Sequence, residues 1–439
     1  MMRATLRQRL HWLALHGVIR SLASFGAKRG EMQGRLIADV TVRADPGGFA
    51  DELRAQGRLV RGRAAWLTAD HALAHQLLRS DDFAVTSIGS TLPNPLGWIE
   101  SKTAVKGRLH PLLPPSLLSV EPPEHTRYRK TVSSVFTTRA VAALRERVQQ
   151  AAAALIYDIG AGTVDVVDRY CSQLPVTVIG DIIGVPDDER PRILEFGELA
   201  APSLDIGLPW EQYLRVERGL DGFNEWLANH IHRLRDAPGE DLMSQLIAAS
   251  EDGTRLNDAE LRATAGLVLA AGFETTVNLL GSGIRILLQH PDQLARLLDE
   301  PDLWPGAVEE ILRLESPVQL SGRQARVDTE VAGRQVKRGE LVILYLAGAN
   351  RDPEIFADPH RFDITRDNAG RHLSFSGGRH FCLGAALARA EGEVGLRTFF
   401  ERYPNAALAG AGSRRDTRVL RGWSSLPIAL GEARSAVRS

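Results

Sequence analysis

The stretch Phe375-Ser-Gly-Gly-Arg-His-Phe-Cys-Leu-Gly384 decides how this chain is to be read. Phe375, Gly378, His380, Cys382 and Gly384 form a glycine-bounded loop, and Ala385 to Arg389 then reads as the start of a helix. A cysteine at the mouth of a helix N-terminus sits in positive potential, which lowers its pKa and favours the thiolate. The glycines let the backbone approach a flat ligand closely and aim amide N–H groups at the sulfur. A thiolate ligand to haem iron requires such a setting. Cys171, among Tyr170, Leu174 and Val176, has none of it and reads as core packing.

Composition is consistent with a large packed core around that loop. The chain has 439 residues, 44% hydrophobic and 24% charged, with a formal net charge of -1. That is too apolar for a disordered chain, and near-neutral charge leaves no electrostatic footprint for nucleic acid. Two distant cysteines make neither a disulfide framework nor a zinc cage. Helical spacing of apolar residues runs over Val141–Ile159, Val176–Ile183 and Val308–Leu314. The longest candidate helix runs from Asn257, with Glu260 placed for a capping box, to His290, where Pro291 ends it. Its middle, Leu267 to Phe273, is apolar all round, so it should cross the core. Leu59–Thr68, broken by Gly62, reads as a hairpin; Thr329–Val336 and Leu341–Tyr345 read as two further strands. The expectation is a mainly α protein with a small β region.

The first thirty residues carry six Arg/Lys and no Asp or Glu. Three readings stay open for them: a surface helix, an interfacial amphipathic helix, or an import signal. The apolar run Leu10–Ile19 is too short to span a membrane. The expected division is a basic segment 1–30 and a single domain over 31–439.

The cysteine loop resembles the haem-binding loop of the cytochromes P-450, especially the soluble bacterial type. One departure is Ser376, where that family usually has Gly. Three further motifs follow the family's order, so the resemblance runs from about Glu121 to Leu426. In Ala271-Gly272-Phe273-Glu274-Thr275-Thr276, small Ala271 and Gly272 leave room beside a planar cofactor. The resemblance implies that Glu274 and Thr275 deliver protons to dioxygen. A surface ion pair for Glu274, or a Thr275 bonded back to its own helix, is the alternative. The resemblance also implies a buried charge network of Glu310, Arg313 and Arg361 supporting the loop, with Phe375, Gly378 and Gly384 shaping it. In Glu124-His125-Thr126-Arg127-Tyr128-Arg129, His125 and Arg129 share a helix face. By resemblance they bind the haem propionates together with Arg323 and His380. Arg127 points elsewhere, and His372 has no evident duty.

The implied fold is that of the cytochromes P-450, with the long central helix over haem b and Cys382 as axial iron ligand. The implied activity is a monooxygenase acting on a lipophilic small molecule, with dioxygen as co-substrate. A peroxide-driven peroxygenase and a non-catalytic haem sensor are the competing readings, and the adjacent acid and alcohol disfavour both. Only 57 residues follow Cys382, so no flavin or dinucleotide segment is expected there. Electrons should come from a ferredoxin and a ferredoxin reductase using NAD(P)H. Arg139, Arg145, Arg379 and Arg389 are candidate contacts for that partner. The pocket wall should draw on Phe83–His110, Leu267–Thr275, Val318–Leu320 and Trp423–Leu426. The expected location is the cytoplasm, with at most peripheral membrane contact.

Overall fold

A computed structural model describes residues 5–87, 89, 92–105, 107–133, 138–251 and 256–433, without the side chains of 138–143 and 249–251. Arg139, as a side chain, therefore lies outside the described residues.

The chain begins with α1 (Leu6–Trp12) and α2 (Val18–Ala27), joined without a break by a wide turn at Leu13–Gly17. Thr5 and Gln8 close a capping box on α1. This pair of helices is docked, because Trp12 Nε1 donates to the Leu208 carbonyl (2.9 Å) and His16 is buried. Its outer side leaves Leu6, Leu13, Leu22 and Phe25 exposed.

The helices that matter for the site are α3 (Glu124–Ser133), α4 (Thr138–Asp158), α5 (Gln173–Ile183), α6 (Arg190–Ala200), α7 (Trp210–Asp236), α8 (Asp258–Leu288), α9 (Trp304–Leu314) and α10 (Ala385–Arg402). Asn257 caps α8 and forms the expected capping box with Glu260. α8 is long and apolar enough to cross a membrane, yet 67% of its most apolar stretch is buried. It packs against α5, α6, α7, α9 and α10. Small residues set these contacts. A Cβ on Gly392 would lie 2.9 Å from Leu279, one on Gly395 2.8 Å from Leu280, and one on Gly283 2.8 Å from Leu396. α8 and α10 therefore interlock, leucine against glycine from both sides. Gly272 faces Ile179 of α5, where a Cβ would come within 3.1 Å. The expected space beside α8 opens instead at Ala271, on a less covered stripe with Val268 and Thr275.

The main sheet has five strands in the order β1-β2-β7-β4-β3: β1 (Val60–Arg61), β2 (Ala65–Thr68), β3 (Phe83–Val85), β4 (Ser321–Ala325) and β7 (Leu341–Leu344). β1 and β2 are the expected hairpin, with Val60 opposite Leu67. β2 runs parallel to β7, and the other pairings are antiparallel. The expected single strand 329–336 is itself a hairpin, β5 (Thr329–Val331) and β6 (Arg334–Val336). Ala332 and Gly333 both take positive φ between them, the geometry of a tight two-residue turn. A second small hairpin pairs β8 (Ser413–Arg414) with β9 (Trp423–Ser425).

Candidate active site

The cysteine loop is held at both ends. Cys382 N–H donates to the Phe375 carbonyl (2.9 Å), closing the loop on itself. Phe375 is buried, tilted against His372 and Phe381, with the Arg389 guanidinium over its ring at 4.5 Å. Two residues of the loop take positive φ, Ser376 (61°) and Gly378 (64°). A Cβ on Gly378 would lie 2.5 Å from the Leu78 carbonyl, so glycine is obligatory there. Ser376 adopts the same region with a side chain, which is the cost of the departure noted in the sequence. Cys382 is open on one side. Desolvation by the loop walls nevertheless raises its thiol pKa, against the amide of Gly384 and the charges of Arg129 and Arg389. The helix N-terminus alone therefore does not yield the thiolate expected from sequence; coordination to a metal ion is what deprotonates such a thiol.

A basic nest adjoins the loop. His125 and His380 lie with ring centroids 4.3 Å apart. Burial, and then the charges of His380 and Arg129, lower the His125 pKa to about 4. Arg323, on β4, is 4% exposed, and burial brings its pKa down to about 10. Sequence reasoning missed the carboxylate at the centre. Glu121 accepts from Val85 N–H (2.7 Å) and from Arg379 (2.9 Å) and lies 3.4 Å from His380 Nε2. Against its desolvation, these neighbours hold its carboxyl at about 2. Arg127 points away from the nest as expected. It is ion-paired rather than solvated, giving Glu260 two hydrogen bonds of 2.7 and 2.8 Å beside Tyr128.

On α8, Glu274 is 3% exposed, and burial pushes its pKa up to about 7 against the charge of Arg415. Its Oε1 lies 3.2 Å from Arg415 Nε, while Glu198 of α6 reaches the same guanidinium at 3.9 Å. Thr275 donates its hydroxyl to the Ala271 carbonyl (3.0 Å), the back-bonded arrangement that was the alternative reading. Thr276, next along, has its single hydroxyl within hydrogen-bond distance of the Gly272 carbonyl (3.2 Å) and of the buried Glu391 of α10 (3.3 Å). Burial raises the Glu391 carboxyl to about 8, against that bond.

The support network differs from expectation by one residue. Glu310 and Arg313 are fully buried and joined by two hydrogen bonds of 2.7 and 2.8 Å. Arg361 is exposed and contributes only its carbonyl oxygen, which accepts from Arg313 and Arg366. The turn closed by Arg361 N–H on Asp358 directs its side chain outward. Arg366 takes the expected place, donating to Glu310 (3.1 Å). His372 gains a duty, lying 3.3 Å from Glu309, which also accepts from Arg389. Three of the arginines expected to await a partner are already paired: Arg145 with Glu393, Arg379 with Glu121 and Asp81, Arg389 with Glu309. Cys171 is fully buried, and burial pushes its thiol far up.

These residues fit a haem. Nε2 of His125 and Nη2 of Arg323 are buried with no hydrogen-bond partner among the described residues, as donors meant for external carboxylates would be. A Cβ on Gly384, beside Cys382, would meet no atom of the chain, so a flat group can approach there. Among the described residues no cluster of His, Cys, Asp and Glu offers a site for a bare metal ion.

Comparison with known proteins agrees. Residues 210–408 match the family model described as Cytochrome P450. The chain is 65% identical over 437 residues to cytochrome P450 140 of Mycobacterium tuberculosis, covering 98% of this chain and 100% of that one. It is 43% identical over 315 residues to the 6-deoxyerythronolide B hydroxylase of Saccharopolyspora erythraea, covering 71% and 76%. Among solved structures, P450BioI, in complex with an acyl carrier protein ligated to hexadec-9Z-enoic acid, superposes with a TM-score of 0.80 at 30% identity, covering 89% and 100%.

Proposed function

The chain belongs to the cytochrome P450 family, and from that membership we propose that it inserts one oxygen atom of dioxygen into a C–H bond of a lipophilic small molecule, using electrons from an external redox partner. It is an oxidoreductase with haem held through a cysteine thiolate, as its family is. The observation that carries the finer reading is the meeting of Cys382 with unpartnered buried donors of the nest. Haem b supplies the oxidising chemistry when bound, and Cys382 is the residue that would hold its iron.

The chain's own part is placement and proton control. His125, Arg129, Arg323 and His380 are the residues that would hold the haem propionates, by charge-assisted hydrogen bonds. Glu274, poised at about 7, takes up and gives back a proton near neutrality, where a general acid is most effective. Thr275 would leave the Ala271 carbonyl to present its hydroxyl on the open stripe. Arg415 fixes the Glu274 carboxylate. The apolar residues of that stripe, with Val318–Leu320 and Trp423–Leu426, exclude water and favour a lipophilic substrate. The 6-deoxyerythronolide B of one relative's name and the hexadec-9Z-enoic acid in the P450BioI complex are in keeping with that class. The electron donor is a ferredoxin served by a ferredoxin reductase and NAD(P)H, in the cytoplasm. Residues 31–439 act as one domain, with 1–30 accessory to it.

The test is turnover with NADPH, a ferredoxin and its reductase, run beside peroxide alone. Product only in the first arm is expected; product only with peroxide, or none in either, would overturn the reading. The reduced carbon monoxide band at the thiolate position should vanish in Cys382→Ser and persist in Cys171→Ser.

A further inference from the structure

Residues Ser413–Gly422, Ser-Arg-Arg-Asp-Thr-Arg-Val-Leu-Arg-Gly, hold four arginines in ten positions. The sequence reading assigned them nothing. In the fold, Arg414, Arg415, Arg418 and Arg421 meet Arg43 around one small cleft of about 40 Å³ that also touches Leu36 and Val42. None of the residues lining it is acidic. The carboxylates that balance these guanidiniums stand behind them. Glu315 is shared by Arg414 (3.0 Å) and Arg421 (3.3 Å), and Asp205 lies 3.8 Å from Arg418. Glu274 lies behind Arg415, while Asp416 and Glu198 approach Arg43 and Arg415 from solvent. One donor remains buried without an acceptor among the described residues, Nη1 of Arg414, and Nε of Arg415 faces the Glu274 carboxyl at 3.2 Å. Burial raises Glu274 to about 7, so near neutrality it balances Arg415 only in part.

The cleft shares Gln319 with the proposed pocket wall. Gln319 and Gly422 line it, and their neighbours Val318 and Leu420 form a β-bridge. Arg415 serves both places, lining the cleft and touching the acid of α8. We infer that this cleft seats the carboxylate of an amphiphilic substrate, whose apolar body runs along the wall toward the open stripe of α8. The inference rests on the monooxygenase reading and narrows its substrate class. Guanidinium forks suit a carboxylate, and unpaired buried donors lose least when an anion brings the missing acceptors.

Holoenzyme is titrated with decanoic and hexadecanoic acids, the corresponding alcohols and inorganic phosphate, following the haem absorption band and the heat of binding. The acids should bind at least about tenfold more tightly than the alcohols, the worth of one charge-assisted hydrogen bond. Arg418→Gln should remove most of that preference without changing affinity for the alcohols, and Arg418→Lys should restore part of it. Asp205 keeps the Arg418 and Val419 backbone N–H groups in either variant. Arg43→Gln carries the same test should Arg418→Gln fail to fold. Equal affinity for acid and alcohol, no binding of either acid, or a preference that survives Arg43→Gln with Arg418→Gln would overturn the proposal. Phosphate bound as well as the acids, without competition between acid and alcohol, would mean a free-anion site and overturn it too. A normal thiolate band without acid preference refutes the cleft alone. Acid preference without product under reconstitution refutes the turnover reading alone.

Discussion

At the scale of single residues, backbone and charge set separate limits on the site. Ser376 holds φ at 61° in a loop whose neighbour Gly378 shows what the position prefers. A left-handed residue with a Cβ costs about 1–2 kcal/mol, and glycine returns part of that gain through its freer unfolded chain. Ser376→Gly should therefore stabilise the holoprotein by about 0.5–1 kcal/mol, read as a higher midpoint in thermal unfolding. Glu274 gives a second expectation. Arg415 lowers the pKa that burial has raised, so Arg415→Gln should move it further up. The pH limb of product formed per NADPH should shift to higher pH in Arg415→Gln and largely return in Arg415→Lys, with substrate affinity measured separately for each. A limb that stays in place would show that Arg415 does not act through Glu274.

Elements show why some of this was legible and some was not. The capping box of Asn257 and Glu260 lies within four residues, and the Glu310–Arg313 pair within one helical turn, so spacing alone discloses both. Partners brought from far along the chain leave no such trace. Arg415 reaches Glu274 across a hairpin, Glu121 enters the nest from before α3, and Arg366 displaces Arg361 because a turn faces Arg361 outward. Gly272 was read for the space it leaves, but only the packing of α5 tells which side that space is on. The α8–α10 seam holds one more such group. Glu391, within hydrogen-bond reach of Thr276, has a folded pKa of about 8, well above that of an exposed carboxyl. A raised pKa contributes stability that is fully present below the unfolded value near 4.5 and is lost as pH rises through about 8. Glu391→Gln keeps the shape and removes the ionisation, so it should flatten the fall in thermal midpoint between pH 5 and 8, an effect on the order of a few kcal/mol at the alkaline end. An unchanged slope would place the titration elsewhere.

At the scale of the molecule, the basic opening segment covers an aromatic cluster. Trp12 packs with Trp210 and Tyr213 against Leu208 and Val216. Among the described residues, the partners of the nest and of Cys382 come from beyond the segment. A chain starting at Glu31 should keep haem and its thiolate spectrum yet lose about 2 kcal/mol, the worth of one large buried side chain. Loss of haem in that truncation would place the segment inside the domain rather than upon it.

The interlock of α8 with α10 sets an order of events during synthesis. α5, α6 and α7 precede α8 along the chain, so three of its covering helices are already made when it leaves the ribosome. The strip carrying Leu279, Leu280 and Gly283 lacks its α10 cover until Gly392, Gly395 and Leu396 are made, more than a hundred residues later. For that interval a growing chain carries a long greasy rod with one side bare, the kind of surface that recruits chaperones or drives aggregation. The helix that carries Glu274 is thus also the part of the newborn chain most in need of guarding, and its last cover is the very helix that follows the cysteine loop.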